Sequence, residues 1–354
     1  MITKNNYFSK NKKKINMCTI MTTGRTGSDY LAACLDGLKD VIIFSGKFDH
    51  SIFFKKNNKL DKKKLINKFL NVYKNLFKYD EVEQINHNIN IKKFKKIFLS
   101  LSENKIDRKN FLLNLYYTYN LTLKRSLKSA KIIVHHSHGK KATKEYLKDF
   151  PESKILITIR DPRANLKSGI YNWYKFKKEK YKISHILFYL KRIKNDFDYA
   201  CKLKNKKMFV CLEKMYSSNY KKKICDFLNI KYDKKILVAS YGGKIWTGDK
   251  LSIKKASKGL FDKKLINNEW KNYFSKDQIK IFNIYFKNYK SFYKINEYTL
   301  YERLKLIPKI FSILKIEKEI LNKYKLTNYL FHKNLFFIFR RCFFFLLIIL
   351  KIHN

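Results

Sequence analysis

Cys18-Thr19-Ile20-Met21-Thr22-Thr23-Gly24-Arg25-Thr26-Gly27-Ser28-Asp29-Tyr30-Leu31 changes its pattern twice. Met17 to Thr22 is a short apolar, partly β-branched run, the pattern of a buried strand. Gly24 and Gly27 follow, and glycine lets a backbone turn tightly and lets an anion approach it. From Ser28 the period becomes helical, with Tyr30, Leu31, Cys34, Leu35 and Leu38 at helix spacing. A loop feeding a helix N-terminus aims free N–H groups at one spot and adds the positive end of the helix dipole. Arg25, Thr26 and Ser28 add side-chain donors, so the segment outlines a cradle for phosphate or sulfate. It is not the triphosphate P-loop, which needs four residues between its glycines and a Lys-Ser/Thr after the second. Here two residues intervene and Asp29 follows Ser28, so the usual Mg²⁺-binding arrangement is missing. Alone, the turn reads equally as an ordinary strand–helix connection.

A second segment repeats the plan: Lys154-Ile155-Leu156-Ile157-Thr158-Ile159-Arg160-Asp161-Pro162-Arg163-Ala164-Asn165-Leu166-Lys167-Ser168. The run from Ile155 to Ile159 is almost wholly apolar, as in a central parallel strand. Pro162 suits the first turn of a helix and cannot extend a strand. Arg160 stands at the strand's C-terminal edge, where open α/β sheets bind ligands, and guanidinium is the preferred partner of a phosphate monoester. Ser168 follows eight residues later, about two turns into the helix. The plainer alternative for Arg160 is a surface ion pair with Asp161 or Glu152.

Together these segments resemble the nucleotide-binding elements of sulfotransferases that use 3'-phosphoadenosine 5'-phosphosulfate (PAPS). The resemblance implies that Gly24, Arg25, Thr26, Gly27 and Ser28 hold the 5'-phosphosulfate, while Arg160 and Ser168 hold the 3'-phosphate. Met208 to Glu213 followed by Ile224 to Ile230 is similar to the family's later strand and helix, and Trp270 to Ser275 to a segment near the nucleotide. Lys258-Gly259 resembles part of an Arg-Lys-Gly element, at a longer spacing from Trp270. The likeness covers about residues 16–290. It implies an α/β, P-loop-like three-layer fold: a central parallel sheet flanked by helices, plus a helical insertion and a helical, hydrophobic C-terminal tail. It implies PAPS as co-substrate and a hydroxyl-bearing acceptor, carbohydrate or glycolipid, with no metal.

Sulfuryl transfer rests on positioning and charge stabilisation, with a base taking the acceptor's proton. The candidates lie in Ile133-Val134-His135-His136-Ser137-His138-Gly139, where an apolar run places the histidines near a strand end. His136-Ser137-His138 resembles the Lys-x-His element of the cytosolic branch, which implies His138 as base with His136 beside it. The carbohydrate-type branch proposes a Glu after the first helix. Lys47 stands at that position here, leaving Asp49 or His50 as substitutes. Solvated or capping histidines are the plainer reading of all of these. Arg25 stands where many relatives carry Lys and would stabilise charge on the departing bridging oxygen. Glu213 is read as orienting a loop. Trp246, Gly248 and Asp249 resemble a Trp-x-Gly-Asn/Asp feature of the carbohydrate-type branch.

Composition sets wider limits. The chain has 354 residues and a net charge of +51. Such charge points to nucleic acid or anionic membrane, but lysine is spread along the whole chain. With Lys, Asn, Ile, Phe and Tyr abundant, and only 10 Gly and 3 Pro, the bias fits an AT-rich genome and solvated surfaces, and nucleic acid is not the expected partner. Six cysteines form no Cys-x-x-Cys pair, so reduced core thiols, no structural metal and a cytoplasmic protein are expected. No apolar h-region marks a signal peptide.

Residues 1–15 read as a basic leader, 16–300 as the main domain with a helical insertion over about 55–130, and 301–354 as a helical extension. The tail's apolar runs, Leu335–Phe339 and Cys342–Leu350, are split by Arg340-Arg341 and fall short of the roughly 20 residues a membrane span needs. An interfacial anchor on the cytoplasmic face through 335–352 and a buried terminal helix are equal expectations. Two rival functions stay open: a non-catalytic basic protein bound to nucleic acid or membrane, whose affinity would be dominated by salt, and a P-loop nucleotide kinase, which would need Mg²⁺ and would be indifferent to Ser168.

Overall fold

The computed structural model describes residues 15–44, 46–80, 85–86, 88–177, 182–250, 257–261, 266 and 269–351. The expected leader, except for Ile15, lies outside them. In chain order the elements are β1 (Asn16–Thr22), α1 (Ser28–Asp36), β2 (Val41–Ile43), α2 (His50–Asn57), α3 (Lys62–Val72), β3 (Tyr79–Asp80), β4 (Ile85–Asn86), α4 (Ile91–Leu101) and α5 (Arg108–Thr122). Then come β5 (Ile132–His138), α6 (Lys140–Asp149), β6 (Lys154–Ile159), α7 (Pro162–Lys177), α8 (Ser184–Lys202), β7 (Lys207–Cys211), α9 (Ser218–Leu228), β8 (Ser240–Tyr241) and β9 (Lys244–Ile245). The last are α10 (Trp270–Tyr273), α11 (Lys276–Tyr285), α12 (Leu300–Leu304), α13 (Lys315–Leu321) and α14 (Tyr329–Ile349). The chain divides into two compact units, residues 1–158 with 203–265 and residues 159–202 with 266–354.

The first unit is built on a five-stranded sheet in the order β2-β5-β1-β6-β7, with β1 at its centre. β1 runs parallel to β5 and β6, and β2 runs parallel to β5. Parallel central strands are covered on both faces and read as apolar runs, and alternation divides their side chains between two cores. Cys18, Ile20, Val41, Ile43, Ile132, Val134 and Leu156 face one core, shared with Leu31 and Leu35 of α1 and with Ile224 and Leu228 of α9. Ile42 and Ile133 face the other, shared with Phe69, Phe94, Phe98, Phe111 and Tyr146 of the intervening helices. The unit is thus a three-layer α/β fold.

The segment over 55–130 forms helices for local reasons. Asp49, Asp61, Asn90 and Asp107 each accept a backbone N–H at the start of α2, α3, α4 and α5, satisfying donors a helix leaves open. Their apolar residues recur at helical spacing and bury against the sheet. Asn120 of α5 donates to the Ile43 carbonyl at 3.0 Å, tying the insertion to β2.

The second unit is helical. Gly169 of α7 lies against Tyr189 of α8, where any Cβ would meet the ring. Phe197 stacks on Tyr289 with ring centroids 3.7 Å apart. Arg163 donates to Asp161 and Asn283 and lies 4.2 Å over the Trp270 ring. At the C-terminal end α14 packs Phe344 and Phe345 on Tyr285 and Phe282 of α11. Arg341 is 1% exposed and donates to both carboxylate oxygens of Glu317, at 2.6 and 3.0 Å. Arg341 therefore belongs to the interior, on the face of α14 that packs against the protein. Among the described residues no helix is long and apolar enough to cross a membrane. All six cysteines are free, and five are buried.

Candidate active site

The sheet register assembles the site. β1 pairs so that Thr22 lies opposite His138 on β5 and opposite Thr158 on β6. Neighbouring strands are about 4.8 Å apart, so the three residues form a row at the carboxyl ends of adjacent strands. Successive strands leave β1 on opposite sides, β2 and β5 on one and β6 and β7 on the other. That switch point is where open α/β sheets bind ligands.

The loop over residues 23–27 rises from this row. Gly24, Arg25 and Gly27 take left-handed backbone angles, with φ of 89°, 56° and 80°. Gly27 caps α1 without a side chain, leaving the first-turn N–H groups to be used by something else. A buried hydroxyl chain braces the loop from beneath. Thr22 and Thr26 hydroxyls are 2.7 Å apart, and Thr26 and Thr158 hydroxyls 2.8 Å. The Gly24 N–H donates to the Thr22 hydroxyl at 2.9 Å. Thr26 is 2% exposed, so its hydroxyl serves the brace. Ser28 is buried at the start of α1.

Arg25 leaves the loop and donates to Asp249 Oδ2 at 2.8 Å. Asp249 is itself buried. Lys258 and Gly259 sit on the same support: the Gly259 carbonyl accepts from Ala239 N–H, and the Ala239 carbonyl accepts from Trp246 N–H. Lys258 is exposed, with a left-handed φ of 49°. Segments read separately in the sequence, Trp246–Asp249 and Lys258–Gly259, therefore meet on one hairpin.

Beside the row lies a cavity of about 340 Å³ lined by Lys47, Asp49, His50, Tyr73, His136 and His138, among others. His138 is exposed, at the end of β5. His136 is largely enclosed, with Nδ1 3.5 Å from Asp29 Oδ1, and Lys47 Nζ lies 2.8 Å from the same oxygen. Burial pushes the Asp29 carboxyl up, but Lys47, His136 and His138 outweigh it and hold it down at about 2. Burial, reinforced by Lys47 and only partly opposed by Asp29, lowers His136 to about 4. His136 is therefore a neutral imidazole near pH 7. His135 is also held well below its ordinary value by burial. It accepts or donates at 2.8 Å to Tyr116 and stacks on Tyr146.

The other candidates have structural duties. Asp49 Oδ1 accepts the Ile52 N–H and caps α2. His50 is buried, its Nε2 3.6 Å from Asp149. Arg160 and Ser168 belong to the second unit. Arg160 is partly buried, just before α7, and Ser168 is buried within α7, its hydroxyl accepting from Asn172 at 3.3 Å.

Three participants escape a reading by motif. Thr158 is the one hydroxyl inside an apolar strand run, which is its only local signal. Asp29 reads as an ordinary first-turn acid, and Lys47 as a departure from a family Glu. Their pairing appears only when α1 and the loop after β2 are folded against β5.

No family model and no curated protein matches the chain. Among solved structures it is similar to the sulfotransferase domain of the Synechococcus PCC 7002 olefin synthase, at 14% identity over 75% of this chain and 90% of that one, with a TM-score of 0.46. It is similar to the sulfotransferase domain from the curacin biosynthetic pathway, at 13% identity over 85% and 99%, also at 0.46. Retinol dehydratase in complex with androsterone and inactive cofactor PAP matches at 14% identity over 81% and 84%, with a TM-score of 0.32. At these values the likeness carries no residue-level correspondence.

Proposed function

We propose that this chain moves a sulfuryl group from PAPS to a hydroxyl of an acceptor, a carbohydrate or glycolipid. The observation that carries the proposal is the row His138–Thr22–Thr158, with the braced anion loop rising from its middle. This register supports a reading in which His138 accepts a proton beside a loop whose backbone N–H groups would cradle the anion. The residues suit an anionic sulfate donor: open first-turn N–H groups and the dipole of α1 meet at one loop, and the Arg25 guanidinium starts from that loop, held by Asp249.

In the proposed reaction the acceptor oxygen attacks sulfur while the bond from sulfur to the bridging phosphate oxygen breaks. The acceptor's proton goes to His138, and adenosine 3',5'-bisphosphate leaves. Arg25 and the loop N–H groups offset charge gathering on the departing oxygen. The cavity beside His138 has room for a sugar-sized group, within the range of small-molecule sites. His138 is preferred as base because Asp49 is spent on a helix cap, His50 faces Asp149, and His136 is too weakly basic. His136 and Lys47 position Asp29 at the start of α1. The roles of Arg160 and Ser168 at the 3'-phosphate rest on the sequence motif, with Lys258 and Gly259 as further nucleotide contacts. No step requires a metal ion.

Calorimetric titration without magnesium tests the reading. Adenosine 3',5'-bisphosphate should bind at least about tenfold more tightly than adenosine 5'-phosphate, the worth of one charge-assisted contact. Arg160→Ala should remove that preference. Equal affinity for the two ligands in the unaltered protein would overturn the proposal and favour a kinase or a general polyanion binder.

A further inference from the structure

The outward face of α14 is not explained by the reaction. Its inward face is consumed by packing: Ile338, Arg341, Cys342, Phe345 and Ile349 are buried. On the opposite side Phe336, Phe339 and Phe343 are 58%, 55% and 61% exposed, and Leu350 is 39% exposed. Their spacing of three, four and seven residues keeps them on one stripe of the helix. Exposed large apolar residues grouped this way mark an interaction surface. Arg340 is exposed on the same stripe, 5.9 Å from the Phe336 ring, and Lys351 is exposed at the helix end. No Asp or Glu occurs from Ile320 to Asn354.

We infer that the outward face of α14 lies on an anionic lipid surface, with Phe336, Phe339 and Phe343 among the acyl chains and Arg340 and Lys351 at the headgroups. Charge selects this occupant. A second copy of a chain of net charge +51 would bring Arg340 and Lys351 against like charge, whereas an anionic bilayer complements them. Rings along one face of a helix, with cations at its edge and no acid on the helix itself, are the pattern of a helix lying in the interface plane. The buried Arg341–Glu317 pair holds the opposite face to the protein, so the helix lies on the surface and does not span it.

Flotation of the full chain with vesicles tests this, using pure phosphatidylcholine and a phosphatidylcholine–phosphatidylserine mixture. Phosphatidylserine should raise partitioning several-fold, and added salt should reverse the gain. Arg340→Glu should lower binding to the mixed vesicles about fivefold or more, since each basic residue near such a surface is worth about a factor of five. The triple variant F336S/F339S/F343S should lower it at least about tenfold. These side chains point away from the core, so unchanged circular dichroism and thermal unfolding should accompany the loss. The inference is overturned if neither vesicle binds the chain, if the two bind it equally, or if the variants bind like the unaltered protein. It is also overturned if sedimentation shows a dimer that the triple variant dissolves while vesicles bind neither form.

Discussion

Gly27 meets two demands at one position. Its φ of 80° lies where a side chain is strained, and a Cβ there would come within 2.3 Å of Leu212 Cδ1. Leu212 is buried and has little room to yield. Gly27→Ala should therefore destabilise the protein by about 2–3 kcal/mol, the sum of a left-handed alanine and a small overpacking; urea unfolding reads it directly. Binding of adenosine 3',5'-bisphosphate should weaken along with it, because the loop loses its shape. His138 behaves oppositely, as an exposed residue at the end of β5. His138→Ala should lower kcat by about 10²–10⁴-fold, the usual worth of a positioned base, while calorimetry shows nucleotide affinity nearly unchanged. A fully active variant would move the base elsewhere in the cavity.

At the scale of the element, β5 carries three histidines: alternation parts His135 from His136 and His138, and the end of the strand parts the last two. His135 enters one core, His136 turns towards α1, and His138 ends the strand in the open. The enclosed two make the strand sensitive to acid. His136 titrates at about 4 in the folded protein against an unfolded value of about 6.5. Above about pH 6.5 it is neutral in both states and costs nothing. As pH falls from about 6.5 to 4 the unfolded chain takes up a proton that the fold refuses, so stability drops, by roughly 3 kcal/mol for this residue. His135 acts in the same direction. Asp29 loses its contribution only lower, as pH falls from its ordinary value towards about 2. Thermal unfolding should thus show Tm falling over pH 6.5 to 4, and His136→Asn should flatten that slope. An unchanged slope would mean that His136 is not the group responsible.

At the scale of the whole molecule, most of the described lysines stay in solvent, while a few part-buried or buried cations stand in full pairs. Arg125 reaches Asp36 with two hydrogen bonds at 2.8 and 2.9 Å, and Arg341 holds Glu317 in the same way. Arg341→Met would leave the Glu317 carboxylate buried beside apolar atoms and should cost about 3–5 kcal/mol. The double variant R341M/E317L should recover most of that loss, because an apolar pair of similar size replaces the ion pair without stranding a charge. Chemical denaturation of both variants checks the contrast; equal losses would show that packing volume, not the unpaired charge, sets the cost.

Local pattern was enough for the strand–loop–helix of β1 and α1, for Pro162 opening α7, and for several helices within about 55–130. Hydrophobic period, glycine and cap residues act over a few positions, and so their consequences can be read from neighbours in the chain. The same local logic placed His138 at a strand end and put Gly24 and Gly27 in a turn. It could not choose between an anchored and a buried α14, because a stripe of Phe on each side of one helix looks alike until one side is packed. Nor could it find Thr158 beneath Thr26, 132 residues away, or Asp249 beside Arg25 across 224 residues. Lys47, read as a departure from a pattern, became the partner of Asp29 through a contact between the loop after β2 and the first turn of α1. Pairings of this kind have no local period. They follow from strand order and register, which emerge only when distant segments compete to bury the same apolar faces.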